Sequence, residues 1–276
     1  MNKITEVKSS GIDFTHRYDC SVPDNLDDRH CHDKYEILMV LEGEGRYIVE
    51  GEEYRICPRT LMVIRPFEYH CVELNKSLPY ERYVVHFSMP SVSPDVAKML
   101  DVFNSTSENF SGNFYPPQAI SGNVEAIFER YEMAATLPPE EREVYLKLLT
   151  SELILMLSVA TGQKMSHDDE DIGTRVLRYI NDHLEKDVSL DRLARRFFVS
   201  KYYLCRAFKK RNGVSIHGYI VHKRVMHAKH LIDFGETASG AAYKVGFGDY
   251  SAFYRAYVKI VGKSPTASEG EAKNGL

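Results

Sequence analysis

The sequence predicts an α+β protein, with an N-terminal β-barrel and its associated helices followed by an all-α C-terminal domain. Short apolar runs separated by Gly and Pro follow one another from His30 to Phe87, a spacing typical of small barrels and sandwiches. Apolar residues at helical spacing come next. The C-terminal third then contains a helical unit that occurs twice.

Charge divides the chain in the same way. Residues 1–171 contain 16 Lys and Arg against 30 Asp and Glu, whereas residues 172–276 contain 19 against 9. The 276 residues are enough for two domains with sizeable cores. An acidic half joined to a basic half indicates that only the second half binds a polyanion.

Compartment signals favour the cytoplasm. The N-terminal residues MNKITEVKSS are polar, and the longest apolar runs, around 37–41 and 153–157, are far too short to span a bilayer. The five cysteines form no Cys-x-x-Cys pair and are odd in number, which is typical of a reducing compartment. We therefore expect a cytoplasmic protein with no membrane partner.

The barrel strands and the helices after them are predicted from periodicity. In Glu36–Leu41 the residues after Glu36 are apolar at both odd and even positions, which face opposite sides of a strand, so this strand should be buried on both faces. Helices are predicted at 122–135 and 140–160. The second has an apolar surface wider than one stripe, and packing on the barrel and a homodimer interface both remain open.

Domain limits follow from composition. The segment 162–171, GQKMSHDDED, is polar and without periodicity, and the charge changes sign just after it. We expect an acidic N-terminal domain at 1–161, a linker at 162–171, a basic C-terminal domain at 172–268 and a tail at 269–276.

The basic half contains an internal repeat. The segment SKYYLCRAFKKRNGVS (200–215) aligns with DYSAFYRAYVKIVGKS (249–264) at an offset of 49 residues. Arg206 aligns with Arg255, and each copy follows a short helical stretch, at 190–197 and 240–245. The repeated unit is therefore predicted to be helix, tight turn, helix.

Helical geometry separates the two faces of each second helix, for which Ser200 and Asp249 are suitable N-caps. If Leu204 and Phe208 face the core, Arg206 lies on the opposite side, as Arg255 does in the second copy. An exposed Arg suits a helix in the DNA major groove, where it reads guanine with two hydrogen bonds. The predicted DNA-contacting residues are Lys201, Tyr202, Cys205, Arg206, Lys209, Tyr250, Ser251, Tyr254 and Arg255.

The segment LDRLARRFFVSKYYLCRAFKKRNGVS, with the later GFGDYSAFYRAYVKIVGKSP, resembles the DNA-binding domain of the AraC/XylS family of bacterial transcription regulators. The resemblance implies two helix-turn-helix units, joined by one long helix at about 215–234, that bind double-stranded DNA. It also implies RNA polymerase as a partner and favours an activator of transcription over a repressor. The chain departs from the family at 239–242, Ser-Gly-Ala-Ala, where Gly240 costs about 1 kcal/mol of helix stability against alanine.

The stretch HCHDKYE (30–36) resembles the first metal-binding motif of cupins, and His70 stands where their second motif has its histidine. His30, His32, Glu36 and His70 could hold Mn, Fe or Zn, and the first three share one face if the strand is continuous. However, Thr60 replaces the glycine of the second motif, and Asp24 replaces that of the first. We therefore expect no stoichiometric metal and no other cofactor.

The N-terminal part is thus interpreted as a cupin-like barrel with a polar pocket for a small-molecule effector, such as a carbohydrate. Its predicted lining is His30, His32, Glu36, Tyr47, His70, Tyr83 and His86. The expected function is a ligand-responsive, sequence-specific transcription regulator and not an enzyme. The alternative is a cupin metalloenzyme, an isomerase or oxygenase, with a nucleic-acid-binding appendage; the sequence contains no catalytic triad, P-loop or dinucleotide fingerprint.

Overall fold

The computed structural model of the chain describes residues 2–21, 29–100, 103, 106–107, 110–120, 123–160 and 171–266. The chain divides into two compact units, residues 1–167 and residues 168–276. The first is rich in sheet and the second is helical, which confirms the predicted α+β class. The predicted linker at 162–171, apart from Asp171, and the predicted tail at 269–276 lie outside the described residues.

Two antiparallel sheets build most of the first unit. The strands are β1 Lys3–Ser9, β2 Ile12–Asp19, β3 Tyr35–Glu42, β4 Gly45–Val49, β5 Glu52–Ile56, β6 Leu61–Ile64, β7 His70–Leu74, β8 Tyr80–Phe87, β9 Thr106–Ser107, β10 Phe110–Ser111 and β11 Phe114–Tyr115. A six-stranded sheet has the order β1-β2-β8-β3-β6-β11, and a three-stranded sheet has the order β5-β4-β7. Strands β9 and β10 form a separate two-stranded sheet.

The six-stranded sheet separates two apolar clusters. The helices of the first unit are α1 Pro94–Met99, α2 Val124–Met133 and α3 Pro139–Val159. One face of the sheet packs with α2 and α3 in the larger cluster. The other face packs with residues of the three-stranded sheet in a second cluster. Tyr35–Val40 are all buried, which confirms that β3 is covered on both sides.

The strand containing Glu36 does not extend back to His30. The expectation that His30 and Glu36 share one face depended on a continuous strand, so it does not hold. The strand begins at Tyr35, after a bend at Asp33 and Lys34. The reason is a different pairing partner. The backbone of His30 pairs with that of His70, through N···O distances of 3.1 and 2.9 Å, and thus joins the start of β7.

The second unit consists of helices in the described range 171–266: α4 Ile172–Asp182, α5 Leu190–Arg196, α6 Lys201–Asn212, α7 Ile216–Asp233, α8 Ala238–Lys244 and α9 Tyr250–Val261. The pairs α5–α6 and α8–α9 are the two predicted helix-turn-helix units, and α7 is the predicted long helix between them. None of the helices in the described segments is long and apolar enough to cross a membrane.

Local signals explain the limits of α6 and α9. The Ser200 side chain accepts a hydrogen bond from the Tyr203 amide at the start of α6, and Asp249 caps α9 through two amides. Each helix ends at a glycine, Gly213 and Gly262, with φ of 74° and 82°. Glycine adopts this left-handed conformation without the steric cost of a Cβ atom. The two copies of the sequence repeat therefore share their helix-capping residues as well as their core residues.

Candidate effector pocket and DNA-binding surface

Glu36, on β3, is the centre of the polar cluster in the first unit. Its Oε2 atom lies 3.0 Å from Nε2 of His32 and 3.0 Å from Nε2 of His86. Nε2 of His70 lies 3.7 Å from the same oxygen. These side chains come from the segment before β3 and from β7 and β8, so sheet pairing brings together residues far apart in the sequence. His86 lies directly opposite Glu36 in the β3–β8 register.

The other carboxylate oxygen of Glu36 is held from β4. The hydroxyl of Tyr47 donates to Oε1 across 3.0 Å, and both side chains are buried. Burial, and then the negative charge of Glu36, raise the pKa of Tyr47 well above its ordinary value. Burial would raise the pKa of Glu36, but hydrogen bonds from His32 and His86 outweigh it and hold that pKa well below the usual range. Glu36 is therefore an ionised carboxylate and Tyr47 a neutral donor.

Backbone carbonyls fix the orientation of two imidazoles. A carbonyl oxygen can only accept, so Nδ1 of His32 donates to Lys34 O across 2.9 Å and Nδ1 of His70 donates to Glu68 O across 2.8 Å. Burial opposes protonation of His32, yet its hydrogen bond to Glu36 and that carboxylate's charge raise its pKa. Burial lowers the pKa of His70. Neutral His70 therefore presents a lone pair at Nε2, which is buried and has no hydrogen-bond partner among the described residues.

His30 lies at the edge of this cluster. It is exposed, and its ring centroid is 4.4 Å from that of His70. The donor atoms of His30, His32 and His70 lie within 4.8 Å of one another, as do those of His32, Glu36 and His86. Both groups can hold a metal ion, and His32 belongs to both.

Tyr83 does not join the cluster, in contrast to its predicted place in the pocket. It points from the opposite face of β8 to His86, because successive side chains alternate along a strand. There it packs in the cluster that contains α2, with its ring stacked on Phe128 at 5.2 Å between centroids. Tyr83 is thus part of the core between sheet and helix.

Sequence reasoning missed three polar residues on the cluster side of the sheet. Arg82 and Tyr80 share the parity of His86 on β8. The guanidinium of Arg82 lies 4.5 Å from the ring centroid of Tyr80 and donates to Asp19, at the end of β2, across 2.7 Å. The Tyr80 hydroxyl is buried without a hydrogen-bond partner in the described part of the chain. Counting back in twos from His86 would have found Arg82 and Tyr80.

The structure places the predicted DNA-contacting residues at the surface of the second unit. Leu204 and Phe208 are buried and orient α6, and Phe253 and Tyr257 do the same for α9. All nine predicted residues are exposed: Lys201, Tyr202, Cys205, Arg206, Lys209, Tyr250, Ser251, Tyr254 and Arg255. Lys201 also forms an ion pair with Asp191 of α5. The exposed faces of α6 and α9 therefore carry an Arg at equivalent positions, next to tyrosines and, on α6, lysines.

Family models match both units. The AraC-like ligand binding domain matches residues 15–152, and a helix-turn-helix domain matches residues 193–269. The HTH-type transcriptional activator RhaS of Escherichia coli O139:H28 is 25% identical over 244 residues, which cover 86% of this chain and 85% of RhaS.

Two solved structures are similar to part of the chain. The C-terminal domain of AraT, a response regulator from Geobacillus stearothermophilus, is 26% identical, with 38% of this chain and 88% of that chain covered and a TM-score of 0.36. A probable AraC family transcriptional regulator from Rhodopseudomonas palustris is 24% identical, with 37% and 98% covered and a TM-score of 0.34. With half of the chain matched by the ligand-domain model and the helix-turn-helix model beyond it, this chain belongs to the AraC family of transcriptional regulators.

Proposed function

We propose that this regulator reads two successive major grooves of double-stranded DNA with α6 and α9, and that Arg206 and Arg255 contact base edges. The observation that carries this proposal is the repeated exposed Arg, which follows a buried Leu204 or Phe253 by two residues in both copies. A guanidinium in the major groove donates two hydrogen bonds to guanine, whereas scattered surface charges would not recur at one helical angle.

Binding-site selection tests the assignment, with full-length wild type, Arg206→Ala and Arg255→Ala at one fixed salt concentration. Each substitution is expected to cost about 1–3 kcal/mol of binding free energy and to relax preference at one base position. The two base positions should lie about 10 bp apart, because both helix-turn-helix units bind the same face of the DNA. Lys229→Ala is the matched control, because Lys229 lies on α7 and pairs with Asp233. Uniform loss of affinity without altered base preference would show that the arginines hold phosphates.

For the first unit, we infer that the cluster around Glu36 binds a small polar effector and does not catalyse a reaction. Buried donors and acceptors in an otherwise apolar interior suit a ligand rich in hydroxyl or carboxylate oxygens, such as a carbohydrate. The family relatives described above are transcription regulators by name, which supports a binding role.

A thermal-shift panel of sugars and other metabolites on the full chain tests this inference, since a ligand that binds only the folded state raises the unfolding temperature. Glu36→Gln should abolish the shift of any hit. Tyr83→Phe should keep it, because the Tyr83 ring packs against Phe128 on the opposite face of β8. A response that survives Glu36→Gln but not Tyr83→Phe would place the effector elsewhere.

We further propose that the protein is a cytoplasmic homodimer that contacts RNA polymerase. The dimer proposal rests on α3. One face of α3 is buried in the core, but Val144, Leu148, Leu155 and Val159 are 60%, 62%, 49% and 77% exposed. Their spacing places them on one stripe of the helix, a surface that a second copy could cover. The name of RhaS as a transcriptional activator supports contact with the polymerase.

A further inference from the structure

The long helix α7 contributes to two cores of the second unit. Near its start, the ring of Tyr219 packs against Phe208 of α6 at 5.7 Å between centroids, and its hydroxyl donates to Asn181 of α4 across 2.7 Å. From Val221 onward, α7 contributes instead to the apolar cluster that contains α8 and α9. The second unit therefore has two halves, the α4–α6 half and the α8–α9 half, which pack on different parts of α7.

Arg224, in the middle of α7, binds the α4–α6 half through two backbone carbonyls. Its Nε donates to the carbonyl oxygen of Leu184 across 3.0 Å, and its Nη2 donates to that of Lys186 across 2.9 Å. Both acceptors lie in the segment between α4 and α5. Burial lowers the pKa of Arg224, while the charge of Asp187 acts in the opposite direction. Arg224 is thus a partly buried cation that ties the middle of α7 to this segment.

The α8–α9 half approaches the same guanidinium. Gly246 lies in the turn between α8 and α9 and has a φ of 91°. A Cβ atom at Gly246 would lie 2.9 Å from Nη2 of Arg224 and 2.9 Å from the carbonyl oxygen of Glu185. Glycine, which has no Cβ atom, allows this close approach as well as the left-handed backbone. The guanidinium of Arg224 therefore lies between the two halves, against the backbone of both.

The separation of α6 and α9 has to match the DNA to within one base pair. One base pair moves a contact site by about 3.4 Å along the DNA and by about 35° around it. Helix α7 has 18 residues, so it is about 27 Å long, and ordinary helix curvature bends such a length by about 15–25°. This bend is comparable with the step of one base pair. A contact between the two halves is therefore needed to select one spacing.

We propose that Arg224 is a positioning residue that fixes α6 and α9 relative to each other, and that it thereby sets the spacing between the base positions read by Arg206 and Arg255. The inference rests on the proposed function, because it needs two reading helices on one duplex. The planar guanidinium presents several donors in a fixed geometry and can bridge two carbonyls. The compact ammonium of a lysine does not reproduce this geometry.

The test is the affinity of the full-length protein for three duplexes at one fixed salt concentration: the optimal site, and the same site with one base pair inserted or removed between the two positions. Wild type should bind each altered duplex about 5–150-fold more weakly, the range for loss of one bidentate base contact. Arg224→Met should bind the optimal duplex more weakly than wild type, because its two halves are less preorganised. It should lose less than about threefold on the altered duplexes, because bending of α7 absorbs the shift.

Two substitutions on α7 separate positioning from charge. Arg224→Lys keeps the positive charge, so the slope of log affinity against log salt should not change, yet the spacing preference should still relax. Lys229→Met is the matched control for Arg224→Met, because Lys229 pairs with Asp233 on the same helix, and it should keep the wild-type spacing preference. Unchanged base preference at each position in all three variants shows that both helix-turn-helix units are folded.

A glycine pair tests the same contact from the α8–α9 half with Arg224 intact, and decides the question if Arg224→Met does not fold. Gly246→Ala should relax the spacing preference, because its Cβ would displace the turn from Arg224 and Glu185. Gly235→Ala is the matched control. Its φ of 92° makes alanine equally strained, but an added Cβ there meets no described atom within 4 Å beyond its chain neighbours. This variant should keep the wild-type spacing preference.

Two results would overturn the inference, and they differ in what they leave standing. If Arg224→Lys and Gly246→Ala prefer one spacing as sharply as wild type, Arg224 does not set the spacing, while the reading of two grooves stands. If wild type binds all three duplexes equally well, both the positioning role and the reading of two grooves are wrong.

Discussion

Arg82 and Asp19 form a buried ion pair across the neighbouring strands β8 and β2. A guanidinium nitrogen of Arg82 donates to Oδ2 of Asp19 across 2.7 Å, and Nε of Arg17 donates to Oδ1 across 3.0 Å. Asp19 is fully buried and Arg82 is 7% exposed. Removal of one partner from such a pair leaves an uncompensated charge away from water, which costs more than the pair contributes as a whole.

Asp19→Ala is therefore expected to lower the free energy of unfolding of the first unit by about 3–5 kcal/mol. Native-state hydrogen exchange of β8 amides measures this in the full chain without interference from the second unit. Glu53→Ala is the control, because Glu53 pairs with an Arg46 whose side chain is 56% exposed, and loss of a surface pair costs at most about 1 kcal/mol. Equal effects of the two substitutions would show that the Asp19 pair is solvated.

Local signals made some of the fold predictable from the sequence. The long helix at about 215–234, which the family resemblance implies, is α7, Ile216–Asp233, with Ser215 and Phe234 as its caps. Ser200 and Asp249 cap the helices for which they were predicted. Such signals act within a few residues of the chain, so one sequence contains them.

Strand pairing explains what the sequence could not reveal in the site. Glu36 meets His86 because β3 and β8 pair in one register, and that register also turns Tyr83 away from the cluster. A one-residue shift would exchange the two faces of β8, and nothing local in YERYVVHF selects between them. His30 shares a face with Glu36 by parity only if the strand is continuous, and the pairing of His30 with His70 replaces that continuous strand.

Lys209 and Lys210 are predicted to contact phosphates and not bases, since they are exposed in the last turn of α6. Lys209→Ala should weaken binding to all DNA sequences alike and reduce the slope of log affinity against log salt by about one unit. Arg206→Ala should instead alter base preference. The measurement is affinity for specific and unrelated duplexes over a range of salt concentrations. A sequence-dependent loss in Lys209→Ala would place this lysine among the base-reading residues.

The exposed stripe of α3 is expected to hold two copies together. Leu148→Glu combined with Leu155→Glu places charges on the stripe and should convert the full-length protein from dimer to monomer in sedimentation experiments. Its circular dichroism should not change, because both side chains are exposed by about half or more. Met133→Glu is the control, with a 64% exposed apolar side chain at the end of α2. A wild-type protein that stays monomeric at high concentration would refute the dimer.

Acidification is expected to destabilise α7 in the second unit. Burial lowers the pKa of His222 and His227, and the charge of Lys223 acts in the same direction, while Glu185 opposes it at His227. The unfolded chain therefore binds more protons than the folded one below an unfolded pKa of about 6.5. Stability from these two groups is fully present above that pH and is lost as the pH falls toward the folded pKa values.

Hydrogen exchange at the buried Val225 and Ala228 amides of α7, corrected for intrinsic rates, measures this loss between neutral pH and about pH 5.5, below the unfolded His pKa. Wild type should lose protection over this interval, and the double variant His222→Gln, His227→Gln should lose less, because it no longer has the two groups whose pKa values change on folding. His217→Gln, at an exposed position on the same helix, should behave like wild type. Equal pH dependence in the double variant and wild type would assign the loss to other groups.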